Sequence, residues 1–461
     1  MEILLVVIFA IGYLAITLEH NLKIDKLIPA LIMMALLWAV VAFGIDGFST
    51  WFDSGNHALI DNFGSLGHEE KQGLLENTLL HHLGKTAEIL VFLIGAMTIV
   101  EIIDYFDGFA TIKTFVKTRS KKKLLWIFSF LAFVLSAIID NLTATIVLIS
   151  ILQKIILDRE VRIWFAGIII IAANAGGAWS PIGDVTTTML WIGDKVSTVM
   201  LIEHLFIPSL VCMVLPSFIA SFLPAFKGEI DAEDQTPLKS KYGPRMLYLG
   251  LGAIIFVPIF KTVTHLPPYM GMMLSLAVVA TFAEIFSNRR ISLSSLDQDS
   301  DADSHHGPIH SALTRIEMPS ILFFLGILLA VAALESLGIL FNFADSLKQG
   351  IPLLGTEMAG TQVSDLVLIL LGVASAVIDN VPLVAASLGM FSEPLDDQLW
   401  HFIAFTAGTG GSMLIIGSAA GVVAMGMEKI DFFWYLKKIS WLALLGFLGG
   451  SITYMLMRNL F

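Results

Sequence analysis

Two short motifs place an aspartate next to an asparagine inside apolar stretches of the chain. The first is SAIIDNLTATIV, with Asp140 and Asn141, and the second is SAVIDNVPLVAA, with Asp379 and Asn380. A carboxylate at membrane depth is costly unless it is protonated or holds a cation, so such residues mark functional sites. The repeated motif therefore indicates a site for a small cation or a proton.

Two glycine-rich segments interrupt later apolar stretches and carry further oxygen ligands. NAGGAWSPIGDVTTT contains Asn174, Asp184, Thr186 and Thr187, and GTGGSMLIIGSAAG contains Ser412. Carboxylate, amide and hydroxyl oxygens are hard donors, which suit Na⁺, Li⁺ or H⁺ and suit soft metals poorly. The glycines permit sharp turns and let backbone carbonyls face a cavity.

The composition predicts a polytopic membrane protein around these motifs. The 461 residues are 56% hydrophobic and only 14% charged, against about a quarter charged in ordinary soluble domains. Cys212 is the only cysteine, which excludes an intrachain disulfide and a cysteine metal site. Apolar windows long enough to cross about 30 Å of hydrocarbon lie near 2–18, 27–44, 86–104, 204–224, 246–261, 268–287, 319–338 and 433–457.

The distribution of Lys and Arg predicts how the interrupted segments enter the membrane. Cytoplasmic loops are enriched in these residues, and basic loops flank 124–155 on both sides. We therefore predict that 124–155 and its counterpart 366–392 are re-entrant hairpins. This topology puts both termini outside and none of the 27 Lys and Arg residues within the membrane. Asp140, Asp184 and Asp379 must then each be protonated or hold a transported ion.

The order of elements then occurs twice: three spans, a hairpin, a broken helix and a final span. Each half crosses the membrane five times, and because this number is odd, the second copy is inverted relative to the first. Inverted repeats of this kind are a recurring plan of secondary transporters. We therefore predict an all-α polytopic membrane protein built from two inverted-topology repeats, with the hairpin tips and breaks meeting near the midplane. The predicted boundaries are 1–225 for the first repeat, 226–245 for a cytoplasmic linker and 246–461 for the second repeat, with broken helices at 163–193 and 399–427.

Several of these polar residues also have a simpler structural interpretation. An aspartate beside a helix break can cap the N-terminus of the next helix, which is the alternative for Asp379 and Asp184. Ser375 can hydrogen-bond the backbone of its own helix. Glu101 lies deep in the span that precedes the first hairpin and is a candidate for proton relay.

Together the four motifs resemble those of the NhaD-type Na⁺/H⁺ antiporters of bacteria, members of a superfamily that includes arsenite permeases and sodium–dicarboxylate symporters. The resemblance covers nearly the whole chain from about residue 80 onward. It implies an elevator-type transporter of the bacterial cytoplasmic (inner) membrane that dimerises through scaffold helices. By motif match, it implies that the ion is carried by Asp140, Asn141, Asn174, Asp184, Thr186, Thr187, Ser375, Asp379, Asn380 and Ser412.

Two departures from the family pattern bear on the cargo. The second break has Ser418 where Asp184 stands in the first, and the hairpin tips read Asp-Asn where the dicarboxylate branch typically has Ser-Asn-Thr. The aspartates favour a cation over an organic anion. We therefore predict exchange of cytoplasmic Na⁺, and of Li⁺, for external H⁺, both competing for one midplane site. The alternative is a permease for an anion or neutral acid such as dicarboxylate, citrate or arsenite.

Other classes of function fit the sequence poorly. An intramembrane enzyme needs a nucleophile–base pair or a metal-ligand constellation, and no HExxH motif occurs. We therefore expect a secondary transporter and not an enzyme, with no cofactor and no nucleic-acid partner. Its expected partners are the transported ions, the lipid bilayer and a second copy of the chain.

Overall fold

The chain folds as a bundle of α-helices with one small two-stranded sheet. This computed structural model describes residues 1–17, 19–53, 58–60, 62–113, 116, 118–230, 242–294, 307–340, 342, 363–377 and 379–458. The helices before residue 230 are α1 (Glu2–Thr17), α2 (Glu19–Leu22), α3 (Leu27–Phe43), α4 (His68–Tyr105), α5 (Ala110–Lys113), α6 (Lys121–Ile139), α7 (Asn141–Gln153), α8 (Arg159–Gly177), α9 (Val185–Ile192) and α10 (Thr198–Ala220). Strands β1 (Phe52–Asp53) and β2 (Ala58–Leu59) pair antiparallel in the long connection before α4.

In the second half of the chain, the described residues form α-helices joined by short non-helical connections. Its helices are α11 (Gly243–Thr264), α12 (Pro268–Ser294), α13 (Pro308–Arg315), α14 (Met318–Glu335), α15 (Asp365–Ala374), α16 (Asn380–Met390), α17 (Gln398–Gly410), α18 (Ala419–Glu428), α19 (Phe432–Lys438) and α20 (Ser440–Met457). The predicted linker 226–245 falls largely outside the described residues. The window predicted as one span at 433–457 is divided at Ile439 into α19 and α20.

Eight of the described helices are long and apolar enough to cross a membrane: α4, α6, α8, α10, α11, α12, α14 and α20. Six predicted windows correspond to helices of this set, whereas the windows 2–18 and 27–44 correspond to the shorter helices α1 and α3. The other two helices of the set, α6 and α8, lie in the segments predicted as the first hairpin and the first broken helix. The largest difference is α4, which begins at His68 although its predicted span begins at 86. Its 38 residues measure about 57 Å at 1.5 Å per residue, so its polar N-terminal part extends beyond the hydrocarbon.

Each segment predicted as a hairpin or a broken helix consists of two helices joined by a short break. In the first hairpin, α6 and α7 pack against each other and meet at Asp140. The first helix of each hairpin also packs along the first helix of the next broken segment: α6 on α8, and α15 on α17. The side from which each hairpin enters the membrane stays a prediction.

Glycine permits the closest of these helix contacts. A Cβ atom at Gly176 would collide with the backbone of Phe133 in α6. In the same way, a Cβ atom at Gly410 would collide with the backbone of Gly372 in α15. The first glycine of each pair is therefore explained by the approach of a hairpin helix to a broken helix. The second glycine of each pair, Gly177 or Gly411, lies against the backbone of its own break, at Gly183 or Gly417.

Serine hydroxyls join the same pairs of helices. Ser136 Oγ donates a 2.6 Å hydrogen bond to the Ala173 carbonyl, and Ser375 Oγ donates a 2.8 Å bond to the Ala407 carbonyl. The suggestion that Ser375 bonds its own helix is therefore wrong. Because the neighbouring helix approaches so closely, its last carbonyls are within reach of the serine.

The packing divides most of the helices into two groups. We call α6–α10, α15–α18 and α20 the hairpin group, because both hairpins and both broken helices pack together there with α10 and α20. We call α1, α3, α4 and α11–α14 the second group, since these helices pack on one another. The two groups touch through α14 with α16, α4 with α9, and α6 with α11.

Two ion pairs, one half-buried and one buried, join helices at the ends of the hairpin group. Arg162 at the start of α8 bonds both carboxylate oxygens of Glu428 at the end of α18, at 3.0 and 3.1 Å. Arg458, just after α20, makes a bidentate pair with Asp365 in the first turn of α15. Removing one partner of a buried pair leaves an uncompensated charge, at a cost of about 3–5 kcal/mol. These contacts oppose separation of the helices within the group.

Candidate ion-binding site

All three aspartates of the motifs lie at helix N-termini. Asp140 accepts hydrogen bonds from the Thr143 amide at 2.7 Å and the Thr143 hydroxyl at 2.9 Å. Asp184 accepts from the Thr186 amide and hydroxyl, both at 2.9 Å. Asp379 accepts from the Val381 amide at 3.4 Å, a weaker contact. The capping interpretation is thus correct as geometry, but a capping carboxylate still has free lone pairs with which it can bind an ion or a proton.

Asp184 is the centre at which the two Asp-Asn motifs meet. Asn141 Nδ2 donates to Asp184 Oδ2 at 2.7 Å, and Asn380 Nδ2 lies 3.3 Å from the same oxygen. Asp184 is only 2% exposed. Two hairpin tips from distant parts of the sequence therefore hold one buried carboxylate.

The cluster extends from Asp184 into the second break through amide and hydroxyl groups. Asn141 Nδ2 also donates to Asn174 Oδ1 at 3.1 Å, and Asn174 Nδ2 donates to Ser418 Oγ at 3.1 Å. Ser418 caps α18 by accepting from the Gly421 amide, as Asp184 caps α9. Sequence reasoning aligned Ser418 with Asp184 but left it out of the site, although the shared glycine spacing could have included it.

The tip of the first hairpin has an unusual backbone conformation. Asp140 has φ +78° and ψ 160°, a region that only glycine adopts easily. A non-glycine residue there costs about 1–3 kcal/mol, which persists only where the surrounding structure enforces it. Asp379 at the second tip has φ −46° and carries no such strain. The two tips therefore differ in backbone conformation.

Lys26 contradicts the prediction that no Lys or Arg reaches the aspartates. Its Nζ lies 3.0 Å from Asp379 Oδ2, and the two side chains are only 22% and 14% exposed. Helices α1 and α3 have 16 and 17 residues, or about 24–26 Å each, less than the hydrocarbon thickness of about 30 Å. Two helices of this length can leave the connection that carries Lys26 within the hydrocarbon, which agrees with its contact to Asp379.

One cavity of about 80 Å³ is lined by Asp140, Asp184, Asp379 and Lys26 together. It lies where the hairpin group faces the second group, with α4, α11, α12 and α14 supplying the opposite wall. One ordered water needs roughly 10–15 Å³ of such space, so the cavity can hold a small cation and several waters. Three carboxylates and one ammonium leave the lining net negative when all are ionised.

Three residues of the predicted site bond elsewhere. Thr187 and Ser412 donate to backbone carbonyls within their own breaks, at 2.9 and 2.7 Å. Ser375 donates to the neighbouring helix as described above. The structure thus brings Asn141, Asn174, Asp184, Thr186 and Asn380 into one hydrogen-bonded cluster, with Asp140 and Asp379 on the same cavity. Ion binding by each of these residues stays a prediction.

Two larger cavities lie beside different parts of α4. Glu101 and Thr143 line a cavity of about 390 Å³, so this space connects Glu101 with the first hairpin tip. His82 and Glu335 line another cavity, of about 420 Å³. Residues 82 and 101 are about 28 Å apart along a helix, so the two cavities lie towards opposite ends of the molecule. Proton relay by Glu101 stays a prediction.

Comparison with known proteins identifies the family. A family model described as "Citrate transporter" (CitMHS) matches residues 6–400. Sodium/proton antiporter 1 of Arabidopsis thaliana is 40% identical over 100% of this chain and 73% of its own length. Na(+)/H(+) antiporter NhaD of Vibrio cholerae is 30% identical over 98% of this chain and 91% of its own. The chain belongs to the NhaD-type antiporter family. The resemblance carried by the four motifs is thereby confirmed.

A solved structure supports the fold class of this NhaD-type chain. The YdaH transporter of Alcanivorax borkumensis superposes with a TM-score of 0.57 at 13% identity, covering 95% of this chain and 98% of that one. At this identity the likeness concerns the fold alone. The fold is therefore that of a polytopic, mostly helical membrane protein, with the β1–β2 sheet as a departure from the predicted all-α fold. The family supplies the transporter class, while the inverted repeats and the elevator mechanism stay predictions.

Proposed function

We propose that this protein exchanges Na⁺ for H⁺ across a membrane at the cluster around Asp184. The observation that carries the proposal is the environment of Asp184, which is 2% exposed and accepts from the asparagines of both hairpin motifs. In the part of the chain that the structure describes, no ion pair involves Asp184 or Asp140. A buried carboxylate without a counter-ion must be protonated or bind a cation, and relatives named Na⁺/H⁺ antiporters support these two ions.

Competition for the carboxylates couples the two ion flows. With Na⁺ bound, the aspartates are charged and partly neutralised by the ion; with H⁺ bound, they are neutral. Either form can cross the low-dielectric barrier, but the ionised and unloaded site cannot, because a bare buried carboxylate is costly. Li⁺ is a second substrate in this proposal, since it prefers the same oxygen ligands. External protons thus drive Na⁺ out of the cytoplasm.

We further propose that the hairpin group moves as one body against the second group, in an elevator-type cycle. The ion pairs Arg162–Glu428 and Arg458–Asp365 oppose its deformation. The candidate site lies on the surface that faces the second group, with a larger cavity towards each end of α4. If the two halves are inverted repeats, one hairpin lies towards each end of α4. The homodimer and the bacterial inner membrane rest on the family resemblance and belong to the same proposal.

Transport of an organic anion is the second candidate. The N-termini of α7, α9, α16 and α18 lie at the cluster, Lys26 lines the cavity, and the matching family model is described as a citrate transporter. Each helix N-terminus is already capped by an aspartate or by Ser418, and Lys26 is paired with Asp379. A further negative charge would therefore enter a net negative cavity, which favours a cation as the cargo.

The decisive experiment measures ion-driven pH changes in proteoliposomes. A pH dye inside the vesicles reports proton movement when Na⁺, Li⁺, K⁺ or citrate is added in turn. We expect Na⁺ and Li⁺ to drive proton movement and citrate to have no effect. Citrate uptake without Na⁺-driven proton movement would support the second candidate instead.

The variant Asp184→Asn separates charge from capping. Asparagine caps a helix as well as aspartate, so the fold should persist while exchange is lost. The matched control is Asp158→Asn, because Asp158 caps α8 at an exposed position with a 2.9 Å bond from the Glu160 amide. The control should transport normally. Near-normal exchange by Asp184→Asn would reduce Asp184 to a helix cap and contradict the proposal.

A further inference from the structure

Lys26 and Asp379 form a contact that the exchange cycle described above does not use. The 3.0 Å pair lies between two cavities, because both residues line the 80 Å³ cavity of the candidate site and also a smaller one of about 40 Å³. The smaller cavity is lined in addition by Tyr13, Glu19 and Ser418. An ion in either cavity would therefore meet Asp379 with an ammonium already bound to it.

The pair also joins the two groups of helices. Lys26 directly precedes α3, which packs on α1 and α14 in the second group. Asp379 caps α16 at the tip of the second hairpin. A displacement of one group along the other by more than the reach of the lysine side chain separates Nζ from the carboxylate. The contact is therefore specific to the conformation described here.

Other groups near Lys26 can hold its ammonium when it leaves Asp379. The carboxylates of Glu19 and Glu317 also act electrostatically on its ammonium, and Nζ lies 4.4 Å from the centre of the Phe323 ring. Glu19 lines the same small cavity. A lysine has a flexible four-carbon stem and a compact charge, so its head group can leave Asp379 without becoming a bare buried cation.

We propose that Lys26 is a tethered cation that occupies Asp379 until a transported Na⁺ displaces it, and that this displacement releases the second hairpin tip from α3. The inference rests on the proposed antiport function and adds a competitor to it. Na⁺ and the ammonium carry the same charge, so the Asp379 carboxylate is paired with one cation before and after the exchange. Only a site that has received its ion loses this ion pair between the two groups.

The test compares the apparent KM for Na⁺ of Lys26→Met and wild type in proteoliposomes. A charge-assisted hydrogen bond contributes about 1.5–3 kcal/mol, so removing the competitor should lower the apparent KM about tenfold or more.

Lys26→Gln, which keeps the polar tip without the charge, should lower the apparent KM as well and serves if the Met variant does not fold. Lys26→Arg retains a cation and should keep the apparent KM from falling. The control Lys23→Met makes the same change at an exposed position of the same connection and should leave KM unaltered.

The partner assignment is tested in the Asp379→Asn background by calorimetric titration of the purified protein with Na⁺, because the loss of a proposed ion ligand also stops exchange and with it the KM measurement. If Lys26 acts through Asp379, Lys26→Met should lower the Kd for Na⁺ when Asp379 is present and should not lower it in the Asp379→Asn background, since the two residues share one interaction. An unchanged or higher KM in Lys26→Met would overturn the inference, and so would an equal decrease of the Kd in both backgrounds. Absence of Na⁺-driven proton movement in wild type is a separate result, which overturns the proposed antiport itself.

Discussion

The backbone of Asp140 predicts that a glycine variant is more stable than an alanine variant although both are inactive. Asp140→Ala loses the two hydrogen bonds to Thr143 and keeps the φ of +78°. Asp140→Gly loses the same bonds but adopts that φ without steric cost. Both variants lack the carboxylate, so neither should exchange Na⁺ for H⁺.

The size of the difference follows from a comparison with the second hairpin tip. Replacing a capping residue by alanine costs about 0.5–2 kcal/mol, and by glycine only a few tenths. Those costs, and the greater chain entropy of glycine, apply equally at Asp379, where φ is −46°. The strain of about 1–3 kcal/mol is present at Asp140 alone. The stability gap between the glycine and alanine variants should therefore be about 1–3 kcal/mol larger at position 140 than at 379.

Thermal unfolding of the four variants in one detergent, without Na⁺, measures this double difference. Loss of the Lys26 pair affects both substitutions of Asp379 and cancels within that pair of variants. Exchange assays on the same preparations report activity. If Asp140→Gly were no more stable than Asp140→Ala, the strained conformation at the first hairpin tip would be refuted. If the gaps at 140 and 379 were equal, glycine would be acting through capping alone.

Three further predictions follow from the site and the packing. Because Na⁺ and H⁺ compete for one set of carboxylates, lowering the pH should raise the apparent KM for Na⁺ with little change in maximal rate; a falling rate at constant KM would indicate separate sites. Gly176→Ala should destabilise the protein by about 1–3 kcal/mol through overpacking, whereas Gly252→Ala, in the helix interior of α11 with open space around it, should be neutral or stabilising in the same unfolding assay. The topology is tested with single cysteines at Lys121, Glu160 and Asp396 in a Cys212→Ser background. The cysteines at 121 and 160 should react with an impermeant reagent from one membrane face, and the cysteine at 396 from the other. Reaction of 121 and 160 from opposite faces would exclude a re-entrant first hairpin.

Local sequence was enough to place the helices and to select most of the cluster. Long apolar windows can only be satisfied as helices at membrane depth, so their positions followed from hydropathy. The repeated Asp-Asn pairs and the glycine spacing identified Asn141, Asp184 and Asn380 because polar residues interrupt apolar runs there. The caps at Asp140 and Asp184 also followed from local rules, since the donor amides lie within three residues of each aspartate.

The contacts between elements were decided by the tertiary structure. Asn380 meets Asp184 across 196 positions of sequence, and Lys26 meets Asp379 across 353. Such contacts depend on how the helices pack and on the membrane depth at which a short helix places the turn beside it. A local sequence pattern encodes neither. For this reason the sequence placed Lys26 in a loop away from Asp379. The motifs likewise placed Ser412 and Thr187 in the predicted site, although their hydroxyls bond backbone carbonyls.

The sequence by itself determined that this chain is a helical membrane protein with acidic sites in paired motifs, because a charge buried in hydrocarbon is costly and persists only where it has a function. The family and its transport chemistry could be recognised from the same residues. Only the tertiary structure decided that one carboxylate, Asp184, gathers both asparagines while a second, Asp379, is held by a lysine. Hydrogen bonds and ion pairs act over about 3 Å, and only the folded chain brings these side chains that close.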